Sequence, residues 1–175
     1  MQGFQIYKNL AWLNSLSEEE AQAAFSNCCG SAEWSRRMTA ARPFAMLDEL
    51  FRTAARLWYS LTTSDRLAAF TELNENEGPH SKAGKRAEHT GGFELPLSES
   101  TTEVGDAWKE LAEAVGLYED KFGFIFVLSS KVRTTAEILA VCRARLGNSV
   151  ETEIRIASDE QFKIIETKLS GLLEQ

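Results

Sequence analysis

"KFGFIFVLSS", residues 121–130, is the stretch on which the fold class turns. Its dense mixture of aromatic and β-branched side chains suits a strand by local propensity. A strand needs a partner, and no other segment of the chain reads convincingly as one. The run is therefore expected to be a buried helical or extended segment in a protein otherwise made of helices.

Both flanks carry helix signals. Downstream, Thr134 and Glu137 form a capping box, in which a hydroxyl and a carboxylate each satisfy a backbone N–H at a helix start. Ile138, Leu139, Cys142 and Leu146 then follow on one face. Gly147-Asn148 reads as a C-cap, and Asn148, three residues before Glu151, is expected to cap a last helix running to about Leu173. Its inner face would carry Ile154, Ala157, Gln161, Ile164 and Leu169. Upstream, Ser100 and Glu103 make another capping box, opening a helix through Trp108, Leu111, Val115 and Tyr118.

The first third of the chain continues the pattern. Ser17 and Glu20 box the start of a helix reaching about Ser26. Gly30 stops it, and Ser31 caps the next, which places Trp34 and Met38 on one face at i, i+4 spacing. Residues 46–61 set Leu47, Leu50, Phe51, Ala54, Leu57, Trp58 and Leu61 at helical intervals. Ser64 is expected to cap a helix with Leu67, Ala68 and Phe70. The sum is an all-α fold, a single compact multi-helix bundle, read as one domain over residues 1–175.

One region breaks the period. "NENEGPHSKAGKRAEHTGGFELPLSES" (74–100) holds both histidines, two prolines and four glycines, and reads as a long loop covering about residues 71–100. A loop of that length in a globular chain suggests a functional segment or disorder.

Composition bounds the function. At 175 residues the chain is long enough for a core without staples. A net charge of −7 argues against a nucleic-acid binder, which would show a basic stripe, and against an anionic membrane surface. No apolar run approaches the ~20 residues that span a bilayer. The opening MQGFQIYKNLAWLN has no basic region followed by an apolar core, so no secretory signal is expected. A cytoplasmic, reduced setting follows as the expectation. Cys28, Cys29 and Cys142 then read as small buried apolar residues. Metal ligation is not expected, because Cys-x-x-Cys spacing and a supply of histidines are both missing. Phosphate-loop, dinucleotide and HExxH patterns are absent, as is a Gly-x-Ser-x-Gly elbow.

Three blocks carry a more specific signal: "FSNCCGSAEWSRRMTAARPF" (25–44), "YEDKFGFIFVLSS" (118–130) and "RARLGNSVETEIRIASDEQFKI" (143–164). In this order they resemble the OHCU decarboxylase family, which removes the carboxylate from 2-oxo-4-hydroxy-4-carboxy-5-ureidoimidazoline on the way from urate to (S)-allantoin. The resemblance implies an all-α fold, often a homodimer, a small-molecule substrate, and no metal or organic cofactor. It implies that Ile125, Phe126, Val127, Leu128 and Ser129 border the substrate, largely through backbone groups. Arg145, Asn148, Glu151 and Glu153 match as a charged capping network at a helix junction. Residues 28–44 would form a helix-turn-helix corner.

The chain also departs from the family. The family's catalytic His-Pro pair falls on Leu73 and Asn74, and its Glu-Gln element near Pro96 and Leu97. Substitute proton donors would come from the loop, with His80, His89 and Glu88 as candidates, and Asn74 as a substrate contact. Histidine donates near neutral pH, and a glutamic acid in an apolar pocket has its pKa raised enough to do likewise. The alternative is a homologue that has lost the chemistry and serves as a binding or scaffold module.

Overall fold

A computed structural model describes residues 2–72, 102–129 and 134–174. The described residues form eight helices and no strand, so the protein is all-α: α1 (Gln2–Ser15), α2 (Glu18–Cys28), α3 (Ala32–Ala40), α4 (Leu47–Tyr59), α5 (Thr63–Glu72), α6 (Thr102–Phe122), α7 (Thr135–Arg145) and α8 (Val150–Leu172). The chain divides into two units, one drawn from Met1–Leu73 with Phe162–Gln175, the other from Asn74–Gln161.

In the first unit, side chains set the helix ends as the sequence suggests. Ser17 and Glu20 complete the capping box of α2, and Ser31 accepts from the N–H of Trp34 at the start of α3. Helix α2 runs two residues further than expected and buries Cys28 in its last turn. The α5 cap differs from expectation. Thr62, not Ser64, accepts from the N–H of Asp65 (3.1 Å) and donates to its carboxylate (2.7 Å). Two hydroxyls lay two residues apart, and the carboxylate of Asp65 selects the earlier one.

Arg42 closes the far end of α1 by donating from Nη1 to the carbonyls of Leu13 (2.9 Å) and Leu16 (2.8 Å), which a helix end leaves without partners. Trp34 and Met38 are both fully buried, as their spacing suggested, with Phe25 edge-on to Trp34 at 6.0 Å. The indole N–H of Trp34 donates to the Ala54 carbonyl (3.1 Å), joining α3 to the apolar face of α4 formed by Leu50, Ala54, Leu57 and Trp58. Burying side chains of this size stabilises by about 1.5–3 kcal/mol each. On α5 the inner residues are Ala69 and Phe70; Ala68 faces outward. Cys28 and Cys29 are both buried, consistent with the apolar reading.

In the second unit α6 packs on α7, and the first part of α8 follows. Leu111, Val115 and Tyr118 of α6 are buried, with Ile138, Leu139 and Cys142 of α7. Thr134 and Glu137 form the expected capping box. Ser100 lies outside the described residues. At the α7–α8 junction, Ser149 rather than Asn148 caps α8, its hydroxyl accepting from the N–H of Thr152 (3.3 Å). Asn148 turns its amide to Glu153 instead (2.8 Å). Lys121 of α6 donates to the carbonyls of Leu146 (2.6 Å) and Asn148 (3.0 Å), covering the acceptor end of α7.

The opening stretch resolves as follows. Helix α6 ends at Phe122, and Gly123 takes φ +76° while its N–H bonds the Glu119 carbonyl at 2.8 Å. Beyond it, Phe124 to Ser129 form a ribbon that belongs to no helix or strand. Phe124 and Phe126 both meet the Tyr118 ring edge-on, at 5.9 and 5.0 Å. Packing against helices, rather than pairing in a sheet, accounts for the apolar density.

Candidate functional site

The ribbon is fixed by a buried polar network. Arg145, at the end of α7, donates from Nη1 to the Val127 carbonyl (2.7 Å) and from Nε to Glu153 (2.6 Å). Its Nη2 reaches the Tyr118 hydroxyl (3.2 Å) and also pairs with Glu153. Tyr118 donates to the same carboxylate oxygen at 2.6 Å. The guanidinium lies over the Phe126 ring, 4.7 Å from its centroid, and 5.5 Å from that of Tyr118. A buried charge survives only when paired and hydrogen-bonded, and here Arg145 and Glu153 supply each other's countercharge.

Further along, the Glu160 carboxylate accepts from both the backbone N–H (2.8 Å) and the hydroxyl (2.5 Å) of Ser129. The ribbon is thus held at its centre from α7 and at its end from α8. Between the two grips, the N–H groups of Ile125, Phe126, Val127 and Leu128 make no hydrogen bond among the described residues. Phe126, Val127 and Leu128 are nevertheless buried. Buried backbone donors are nearly always paired, so these open ones are candidates for ligand recognition.

Burial also sets the local titration. Removal from water, reinforced by the hydrogen bond to Glu153, pushes the Tyr118 hydroxyl far above the usual phenol range, with Arg145 partly opposing. Cys142 is pushed up to about 11, chiefly by burial. It is a packing residue here, not a thiolate nucleophile.

The candidate residues of the ribbon, Ile125 to Ser129, lie consecutively between α6 and α7, with Val127 held by Arg145 and Ser129 by Glu160. Arg145, Asn148 and Glu153 form the expected network at the helix junction, whereas Glu151 is exposed at the start of α8 and takes no part. Leu73, Asn74, His80, Glu88 and His89 lie outside the described residues. Among the described residues no cluster of three or more His, Cys, Asp or Glu is placed to hold a metal ion. Sequence reasoning missed Glu160, one glutamate among many on an amphipathic helix, and the hydroxyl role of Tyr118, which the helical period marks only as core.

Residues 14–170 match the family model described as OHCU decarboxylase. The chain belongs to the OHCU decarboxylase family. Among curated family relatives it is similar to the uric acid degradation bifunctional protein TTL of Arabidopsis thaliana, 32% identical over 83% of this chain; the chain spans 45%, about half, of that protein's length. It is 26% identical to the 2-oxo-4-hydroxy-4-carboxy-5-ureidoimidazoline decarboxylase of Amia calva, covering 93% of each chain. A crystal structure of OHCU decarboxylase in the presence of (S)-allantoin superposes with TM-score 0.67 at 30% identity, over 91% of this chain and 100% of that one. A crystal structure of (S)-allantoin synthase, at 16% identity and TM-score 0.66 over 93% of this chain and 53% of that one, shares the fold. Membership confirms the all-α expectation and the resemblance carried by residues 25–44, 118–130 and 143–164. No helix among the described residues is long and apolar enough to cross a membrane.

Proposed function

We propose that this protein decarboxylates 2-oxo-4-hydroxy-4-carboxy-5-ureidoimidazoline to (S)-allantoin in urate degradation. Family membership over residues 14–170 carries the reading. The ribbon adds a physical reason: its open N–H groups suit a small ring that presents carbonyl, ureido and carboxylate oxygens. In the reaction the bond from the ring carbon to the carboxylate breaks and CO₂ leaves. The electron pair left behind is taken up by the conjugated ring. A proton delivered to one face of the carbon bearing the ureido group then fixes the stereocentre.

On this reading Ile125 to Ser129, with Asn74, bind the ring, and His80, His89 or Glu88 donates the proton in place of the family's His-Pro and Glu-Gln elements. The protein would work in the cytoplasm, as a homodimer, without nucleic acid or membrane. A second reading, a homologue that binds without turnover, is favoured by Leu73 and Asn74 occupying the His-Pro positions.

Circular dichroism of freshly generated substrate separates the two, because spontaneous decay gives racemic allantoin. The enzyme reading expects faster formation of one enantiomer, lost in one of His80→Ala, His89→Ala or Glu88→Gln. Racemic product at the spontaneous rate from folded protein would establish the non-catalytic reading instead.

A further inference from the structure

The peptide group between Val127 and Leu128 stands out from its neighbours on the ribbon. Its carbonyl accepts the 2.7 Å hydrogen bond from the Arg145 guanidinium, while its N–H, on buried Leu128, has no partner among the described residues. In a trans peptide the C=O and N–H point in opposite directions. Anchoring the Val127 oxygen to Arg145 therefore aims the Leu128 N–H away from the network. A charged donor on the carbonyl also draws electron density toward oxygen and strengthens the N–H at the other end of the same group, since linked hydrogen bonds polarise one another.

Arg145 has little freedom to do anything else. Nε is held by Glu153, Nη2 lies against the Tyr118 hydroxyl, and two aromatic rings flank the guanidinium. Glu153 cancels its charge, so the Val127–Leu128 group meets a fixed dipole instead of an uncompensated cation. The carbonyls of Ile125 and Phe126 receive no such bond among the described residues, and the Ser129 N–H is committed to Glu160. Among Phe126, Val127 and Leu128, Leu128 thus offers the strongest open donor.

We propose that Arg145 is a positioning residue that aims and polarises the Val127–Leu128 peptide, making the Leu128 N–H the anchor for a carboxylate or carbonyl oxygen of the substrate. This rests on the decarboxylase reading. It assigns Arg145 a role in turnover, beyond holding a helix junction.

The test compares the unmodified protein with Arg145→Lys, which keeps the charge but loses the planar fork, and with Arg145→Met/Glu153→Leu, which removes both charges together. Two quantities are measured: the KM-against-kcat split on freshly generated substrate, and the Leu128 amide proton by NMR during titration with (S)-allantoin. In the unmodified protein the Leu128 amide should move strongly downfield as (S)-allantoin binds. In the folded variants that movement should fall by at least half, and kcat should drop about tenfold or more with a smaller change in KM, in line with the loss of part of one preorganised donor.

A folded variant with kcat within twofold of the unmodified protein overturns the proposal, and so does a Leu128 amide that (S)-allantoin leaves unmoved in an active enzyme. If Arg145→Lys does not fold, the doubly neutral variant and the unmodified protein's own amide titration decide. An unmodified protein that gives only racemic product sinks the decarboxylase reading itself, and this inference with it. Activity with a silent Leu128 sinks the inference alone.

Discussion

Arg145 and Glu153 form an ion pair sealed from water, their side chains 7% and 0% exposed. Removing one partner leaves the other charge buried without compensation, at a cost of about 3–5 kcal/mol. Glu153→Gln is therefore expected to lower the unfolding free energy by that amount. Replacing both charges together strands no charge but leaves the buried Tyr118 hydroxyl and Val127 carbonyl without these partners, so Arg145→Met/Glu153→Leu should cost about 1–3 kcal/mol for each group left unsatisfied. Urea titration measures both variants, the midpoint moving at constant slope if only stability has changed.

Tyr118→Phe keeps the aromatic contacts with Phe122, Phe124 and Phe126 but removes the hydroxyl between Glu153 and Arg145. The expected cost is about 1–3 kcal/mol, that of a buried acceptor losing one of its donors. The folded phenol titrates above its unfolded value. It therefore contributes stability that is fully present below that value and lost as pH rises through the folded one. Ultraviolet titration of the three tyrosines of the chain should leave one protonated until the protein unfolds.

Gly123 sits at φ +76° at the end of α6, with open space where a Cβ would project. Gly123→Ala thus meets no clash and incurs only the left-handed backbone penalty of about 1–2 kcal/mol. A loss well below that in denaturant unfolding would mean that α6 can end in another way.

Burial holds Cys28 and Cys142 at about 11, the charge of Lys168 partly opposing this for Cys28 and that of Arg145 for Cys142. Both are protonated at neutral pH. Because the folded values lie above the ordinary 9.0, both thiols favour folding below pH 9 and progressively withdraw that support as pH climbs through 11. At pH 8 alkylation of Cys28 and Cys142 should be slow in the folded protein and fast in denaturant. Rapid labelling under native conditions, read by mass spectrometry, would refute the packing role.

The parts of this fold that sequence made legible are those where a single residue type has one common local use. Ser17 with Glu20 and Thr134 with Glu137 mark helix starts because the two groups satisfy each other's backbone partners within one turn. Trp34 and Met38 mark a buried face through their spacing. Where two neighbours could do the same job, spacing could not choose. Thr62 displaced Ser64, and Ser149 displaced Asn148, because Asp65 and Glu153 claimed one of each pair. The ribbon was ambiguous for a related reason: burial on several sides gives an irregular segment the same apolar density as a strand. Glu160 was illegible, since its partner Ser129 lies 31 residues away and nothing local announces the contact.

The ribbon's open donors are backbone N–H groups, and its central support falls on a backbone carbonyl. Mutational drift can therefore replace the side chains of residues 125–128 while the backbone donors stay in place, provided each newcomer fills the same volume. Identity is demanded elsewhere, at Arg145 and Glu160, which lie far along the chain and hold the ribbon without belonging to it. In such a protein the lineage of the ribbon is written in the residues that grip it.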